Sequence, residues 1–318
     1  MIASVLIDNL LTAPVIAFSI ALLATLLGFN VLFPDSLYPI LSTFLLLAIG
    51  IKGGRALSST SPSEIWKPLI GAIVLGIITP LVAFYLFKFV SKLDTTNSSA
   101  LAAHYGSVSA VTFTVLLSTL DTNNISYEEF SAGLLAVVEV IGIVVALLLS
   151  KNSSKETRWR AGIVEVVRGK SIAVLIMGLL IGLIVGTERL APTDSLFIGL
   201  FSGILTLFLI ELGVIAAERL RDFKTAGVSV LALSIAIPLI NGLLGAVIGS
   251  LAGMSTGGVA VMATLAGSAS YIAAPAAVRV ALPNASPGIY VTASLGITFP
   301  FNLTIGIPYY IALANWLT

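Results

Sequence analysis

Cysteine is absent from the 318 residues, which excludes disulfides, thiolate metal sites and cysteine nucleophiles and leaves the redox compartment unread. Charge is almost as scarce. Asp, Glu, Lys and Arg make up 10% of the chain, against about 25% in soluble domains, too little to clothe a folded surface in water. Cations exceed carboxylates by a single charge, a balance that argues against a nucleic-acid partner. No nucleotide-binding loop, metal-ligand cluster or nucleophile triad is visible, so neither an enzyme nor a pump driven by ATP is expected and no resident cofactor is implied. The opening residues, MIASVLIDNLLTAP, have neither a basic region nor a small-residue cleavage motif. A cleaved signal peptide is therefore not expected, and insertion falls to the first membrane helix.

What the chain has instead is apolar length. Apolar residues make up 58% of it, and the mean hydropathy is +1.09. A membrane helix needs roughly 20 mainly apolar residues. Punctuation at polar and Pro/Gly clusters gives ten such segments, near 13–33, 36–51, 66–89, 99–120, 127–150, 170–188, 195–217, 224–251, 257–282 and 287–317. The one substantial polar stretch, SKNSSKETRWRAGIVEVVRGK at 150–170, separates five from five. The expected organisation is thus a first five-helix unit over 1–150, a linker over 151–170 and a second five-helix unit over 171–318. Lys and Arg favour cytoplasmic loops. With the linker in the cytoplasm, twelve cations fall inside (Lys88, Lys92, Lys151, Lys155, Arg158, Arg160, Arg168, Lys170, Arg219, Arg221, Lys224, Arg279) and four outside (Lys52, Arg55, Lys67, Arg189). Both termini then come out external.

The two halves resemble each other in four places, in the same order. DSLYPILSTFLLLAIGIKGGRAL from Asp35 parallels DSLFIGLFSGILTLFLIELGVIAAERL from Asp194. GIITPLV parallels SIAIPLI, with Pro80 matching Pro238. HYGSVSAV parallels LAGSASYI, so Gly-Ser-x-Ser recurs at Gly106 and Gly267, 161 residues apart. ISYEEFSAGL parallels ASPGIYVTASLG. An odd number of spans per unit inverts the second copy relative to the first. Inverted repeats are a signature of secondary transporters, whose site lies near the midplane where corresponding segments are interrupted by Gly or Pro.

The paired GSxS segments are such interruptions. Gly costs a helix interior about 1 kcal/mol relative to Ala, and Pro275 removes a backbone donor from the second copy. Broken backbone must face protein or a polar cavity. The half-helix after each break directs free N–H groups and positive partial charge at that cavity, which suits an anion. Carbonyls and Ser or Thr hydroxyls suit sodium. Gly106, Ser107, Val108 and Ser109, with Gly267, Ser268, Ala269 and Ser270, are therefore the candidate anion-binding segments. The competing reading is close helix packing through small residues; recurrence in both halves favours a site. Glu139 and Glu211 are the carboxylates placed well inside spans, costly there and so functional candidates for a sodium ion or a proton. Asn241 and Asn302 are expected to bond between helices, Arg279 to reach the interface, and His104 to be structural or interfacial. RWRAGIVEVVR is expected to lie as a short amphipathic linker helix.

HYGSVSAVTF, ISYEEF, GSASYIAAPAAVRVALPNASPGIYVTASLGITFPFN and IGIPYY resemble the sodium-dependent bicarbonate transporter family of cyanobacteria and other bacteria, in its broader bacterial branch. The likeness runs over nearly the whole chain and is strongest in 104–139 and 257–310. It implies an all-α polytopic membrane protein of ten transmembrane helices, in two inverted five-helix repeats whose fourth and ninth helices are broken and cross. It implies sodium–bicarbonate symport by alternating access, a homotrimer in the bilayer, and in cyanobacterial members a PII-like regulator on the cytoplasmic face. The family's breaks fall on Gly106 to Thr112 and Gly267 to Tyr271, and its buried fifth-helix acid on Glu139. A sodium site is thereby expected among Ser109, Thr112, Glu139, Ser270 and Tyr271. Cyanobacterial members carry an acid at the position of Tyr271, which makes Glu139 the substitute charge. Their linker is longer than this one, and they differ around TFPFN. Proton coupling, another small anion, an anion channel or a non-transporting sensor are the alternative functions.

Overall fold

The computed structural model describes residues 11–29, 33–34, 36–150, 156–221 and 227–318. Asp35, Lys151, Lys155, Lys224 and most of the opening segment lie outside these, as do the side chains of Arg158 and Arg221. The described residues form helices and no strand. They are α1 (Ala13–Leu26), α2 (Leu37–Ser59), α3 (Pro62–Phe89), α4 (Thr95–Gly106), α5 (Ala110–Thr122), α6 (Ser131–Leu149), α7 (Glu156–Val167), α8 (Lys170–Leu190), α9 (Phe201–Arg221), α10 (Val228–Leu251), α11 (Thr256–Gly267) and α12 (Ala273–Ala281). The last, α13 (Pro287–Leu317), is one long helical run interrupted by π-helical stretches at Thr292–Thr298 and Asn302–Gly306.

Among the described residues eight stretches are long and apolar enough to cross a membrane, α4 and α5 counting as one; α1 and α11 are apolar but shorter. The chain is an all-α polytopic membrane protein. The helices start where the sequence supplies caps. Asp94 and Ser255 sit in extended backbone before α4 and α11, and their side chains accept from the amides of Asn97 and Gly258. Pro14 and Pro62 occupy first turns, where a missing N–H costs nothing.

The second helix is longer than its apolar stretch, 36–51, implied. It continues to Ser59 through Lys52 and Arg55 because both cations find partners inside the protein. Lys52 Nζ donates to the Tyr127 hydroxyl at 2.5 Å and pairs with Asp121 at 3.5 Å. Arg55, buried, pairs with Asp194 at 2.5 Å.

Two groups of helices pack within themselves. In one, α1 lies on α9 and α2 on both α8 and α9. The α2–α8 contact runs along Gly50, Gly54, Gly178 and Gly182. A Cβ added at Gly50 would lie 2.5 Å from the Leu175 carbonyl oxygen, and one at Gly178 would lie 2.6 Å from that of Leu47. In the other group, α3 packs on α4 and α6, α10 on α11 and α13, and α3 meets α10. The groups touch where α2 and α8 reach α6 and where α9 reaches the first π-helical stretch of α13.

The linker helix α7 is docked rather than free. It packs on α12 and α6, Val166 is buried, and Gly162 admits the methyl of Ala281. The face of the molecule carrying α7 also holds Lys170 Nζ on the Pro39 carbonyl at 3.1 Å. On that face Asn97 Oδ1 accepts from the Ser286 amide at 2.8 Å. On the opposite face Glu128 accepts from the Ser255 amide at 2.7 Å and from its hydroxyl at 3.1 Å. The Asn97–Ser286 and Glu128–Ser255 contacts each tie the start of one broken helix to the loop that follows the other.

Candidate functional site

Both GSxS segments break their helices. α4 ends at Gly106, and Ser107 and Ser109 are extended before α5 begins at Ala110. α11 ends at Gly267, Ser268 is extended, and α12 begins five residues further on at Ala273. The glycines are required by close approach. Gly106 sits against the ring of Pro80, with 2.5 Å to an added Cβ, and its carbonyl faces Gly142 of α6. Gly267 sits against Tyr310 and, 2.8 Å from an added Cβ, the Pro238 carbonyl oxygen. The matched prolines of α3 and α10 therefore back the two breaks.

The breaks cross and satisfy one another. The Ser109 amide donates to Ser268 Oγ at 2.9 Å, and the Ser270 amide donates to the His104 carbonyl at 2.8 Å. His104 Nδ1 meets the Ser270 carbonyl oxygen at 2.6 Å. Ser109 Oγ accepts from the Thr112 amide at 3.1 Å and the Thr112 hydroxyl at 3.0 Å, capping α5. Ser270 Oγ accepts from the Ala274 amide at 3.2 Å and caps α12. Behind the second break, Asn302 Nδ2 and the Tyr310 hydroxyl both donate to the Gly267 carbonyl at 3.0 Å. These polar groups are buried, as broken backbone at membrane depth demands.

A small cavity opens at the crossing, lined by Val108, Ser109, Ala110, Glu139, Ser171, Ser270, Tyr271, Ile272, Ala273 and Leu46. Its volume of about 10 Å³ is the space of one water-sized sphere. Its polar atoms are hydroxyls and the carboxylate of Glu139, itself 3% exposed. The Tyr271 hydroxyl is buried beside Ser109 without a well-formed hydrogen bond. The Tyr271 ring stands edge-on to Phe299 at 5.0 Å. A larger cleft of about 290 Å³, lined by Tyr38, Glu165, Lys170 and others, adjoins the cavity and shares Leu46, Ser171, Ile272 and Ala273 with it. It opens on the α7 face. On the opposite face a cleft of about 90 Å³ at Lys52, Asp121, Tyr127 and Glu129 shares no lining residue with the cavity.

Of the residues singled out from sequence, the structure brings Val108, Ser109, Glu139, Ser270 and Tyr271 to one cavity and places Thr112 behind Ser109. Gly106, Ser107, Gly267, Ser268 and Ala269 build the crossing but do not line the cavity. Glu211 is buried in α9 and also stands apart from it. Asn302 makes the expected interhelical bond, whereas neither end of the buried Asn241 amide has a partner among the described residues. Arg279 is exposed near the end of α12, as an interfacial cation is. His104, expected to be structural or interfacial, takes the structural place: it is fully buried at the crossing, its ring against Tyr290 at 4.7 Å. Ser171 and Tyr310 carried no signal in the sequence, since a lone hydroxyl at a helix start and a tyrosine in a final span are both commonplace.

No curated protein matches the chain. A family profile does, that of the Na+-dependent bicarbonate transporter superfamily, over residues 13–315. With nearly the whole length covered and two crossed helix breaks facing a polar cavity inside an apolar bundle, the chain belongs to the Na+-dependent bicarbonate transporter superfamily.

Proposed function

We propose that this protein is a sodium-coupled bicarbonate symporter that works by alternating access. The observation that carries the reading is the convergence of Ser109 and Ser270, from the two breaks, and Glu139, from α6, on one cavity. The capped N-termini of α5 and α12 face it with partial positive charge, which favours an anion. The hydroxyls of Ser109, Thr112, Ser270 and Tyr271 and the carboxylate of Glu139 are hard oxygen donors suited to a sodium ion. In this reading the segments Gly106–Ser109 and Gly267–Ser270 bind bicarbonate, and Glu139 supplies the charge that balances the cation.

The same reading makes residues 1–150 and 171–318 two inverted five-helix repeats. The exchange of partners between halves supports this, α1 lying on α9 while α2 lies on α8. So does the matched pair of clamps, Asn97–Ser286 and Glu128–Ser255, on opposite faces. The α1–α2–α8–α9 group is then the stationary gate, and the group holding the breaks is the moving core. With the α7 face cytoplasmic, the adjoining 290 Å³ cleft is the inward path. The cavity as it stands holds one water-sized body, so bicarbonate is admitted only when core and gate separate. A homotrimer in a bacterial inner membrane, with both termini external and a PII-like regulator on the α7 face, completes the proposal.

The test is uptake of radiolabelled bicarbonate into proteoliposomes under an inward sodium gradient, with choline replacing sodium in parallel. Saturable, sodium-dependent accumulation is the expected result. Uptake that follows a proton gradient instead, with Glu139 as the proton carrier, establishes the second reading, which a carboxylate with no other charged residue in the cavity lining favours. Flux without saturation points to a channel, and binding without flux to a sensor.

A further inference from the structure

The two breaks are alike in sequence but not in how their carbonyls are held. At the first, the Ser109 carbonyl accepts from the Phe113 amide at 3.0 Å, so α5 consumes it at once. At the second, α12 starts three residues after Ser270, and the Ala274 amide goes to the Ser270 hydroxyl rather than to its carbonyl. That carbonyl is left over by the helix, and His104 takes it, Nδ1 to O at 2.6 Å. The Ser270 amide returns the contact by donating to the His104 carbonyl at 2.8 Å. One residue of α4 thus satisfies both backbone groups of Ser270. The residue at the matching position of the second motif, two before Gly267, is Leu265, which has no donor to offer.

The partner fixes the imidazole tautomer. A carbonyl only accepts, so Nδ1 carries the proton and Nε2 is an acceptor; Nε2 is buried and unpartnered among the described residues. The ring is held from behind by Tyr290 at 4.7 Å. His104 does not line the cavity, whereas Ser270 does, so the bond draws the Ser270 carbonyl away from it.

We infer that His104 is a positioning residue that turns the Ser270 carbonyl out of the binding cavity, leaving the N-terminus of α12 to face an anion unopposed. The inference rests on the anion-transport reading for its purpose, but not for its geometry. Without the imidazole donor, the carbonyl is a buried acceptor in need of a partner. Turning toward the cavity, it sets a negative dipole where the anion binds. The loss therefore falls on anion affinity more than on maximal rate.

Two measurements test this. The chain contains one histidine, so the long-range 15N–1H spectrum of tag-free protein in nanodiscs reports His104 alone. A protonated Nδ1 with a slowly exchanging proton is expected; a protonated Nε2 overturns the inference. Bicarbonate uptake is then compared across H104N, H104Q and H104L. The asparagine amide reproduces a donor at the Nδ1 position, whereas glutamine reaches to the Nε2 position. H104N should stay closest to the wild-type half-saturating concentration, with H104Q and H104L raising it about tenfold at a maximal rate within about twofold. Equal behaviour of H104N and H104Q, or a loss confined to maximal rate, overturns the inference. Absence of uptake by the wild type refutes bicarbonate transport itself, and the imidazole spectrum then decides the role of His104.

Discussion

Ser107 and Ser268 occupy the same place in the two GSxS motifs, and both hydroxyls are buried, yet truncating them should have opposite consequences. Ser268 Oγ is the acceptor for the Ser109 amide at 2.9 Å and passes its own proton to the Leu265 carbonyl at 3.4 Å. Ser268→Ala leaves that amide buried in a break with no helix to absorb it. An orphaned buried donor costs about 1–3 kcal/mol. Taking about 2 kcal/mol, the ratio of folded to unfolded protein falls roughly 30-fold, and the unfolding midpoint drops by about 3 °C for a chain of this length. Ser107 Oγ has no partner among the described residues, so Ser107→Ala removes a buried hydroxyl without orphaning anything. Its stability should stay within about 0.5 kcal/mol of the parent or rise slightly. The assay is thermal unfolding of the purified proteins in one detergent, followed by tryptophan fluorescence. Equal losses in both variants would falsify the claim that the Ser109–Ser268 bond joins the breaks, because general packing of small residues predicts no difference between them.

Other expectations concern function. Ser109→Ala combined with Ser270→Ala removes the caps of α5 and α12 and both hydroxyls from the cavity; saturable uptake should vanish while the protein still elutes as a single species by size exclusion, and normal uptake rules out the crossed breaks as the site. Glu139→Gln keeps the shape of the cavity wall but removes its carboxylate charge. It should raise the sodium concentration for half-maximal uptake far more than that of the anion, and a parallel rise in both indicates a packing defect instead. Asp94, outside the spans, is partly desolvated, which raises its carboxyl, but bonds from the Asn97 amides outweigh this and hold it below the usual carboxylate value. A depressed folded value means that its contribution is present above the unfolded pKa and lost as pH falls through the folded one. Asp94→Asn should therefore flatten the acid side of the stability–pH profile; an unchanged profile discounts the cap.

Hydropathy was enough to mark the chain as a polytopic helical membrane protein, because crossing lipid demands long apolar helices, and eight stretches among the described residues meet that demand. The ends were less legible. Lys52 and Arg55 read as the close of a span, and only their partners, Tyr127 and Asp194, explain a helix that runs on to Ser59. The breaks were legible since Gly and Ser are poor helix formers wherever they occur. Their cross-bonding was not: His104 reaches Ser270 across 166 residues of chain, and no local pattern encodes such a contact. The π-helical stretches of α13 escaped for a similar reason. Phe299 lies between them and Asn302 opens the second; their partners Tyr271 and Gly267 belong to the second break, so tertiary contacts rather than periodicity accompany them. The docking of α7 depends on Gly162 meeting Ala281, and a glycine in an amphipathic stretch announces nothing of the kind.

The glycine seam between α2 and α8 has a mechanical consequence. Backbone lies on backbone there, with the Leu47 and Leu175 carbonyls close to where side chains would otherwise stand. Helices joined in this manner have few rotamers to rearrange between them, and any relative slide runs one main chain into the other. The pair is thus a stiff strut that carries its two helices as one body.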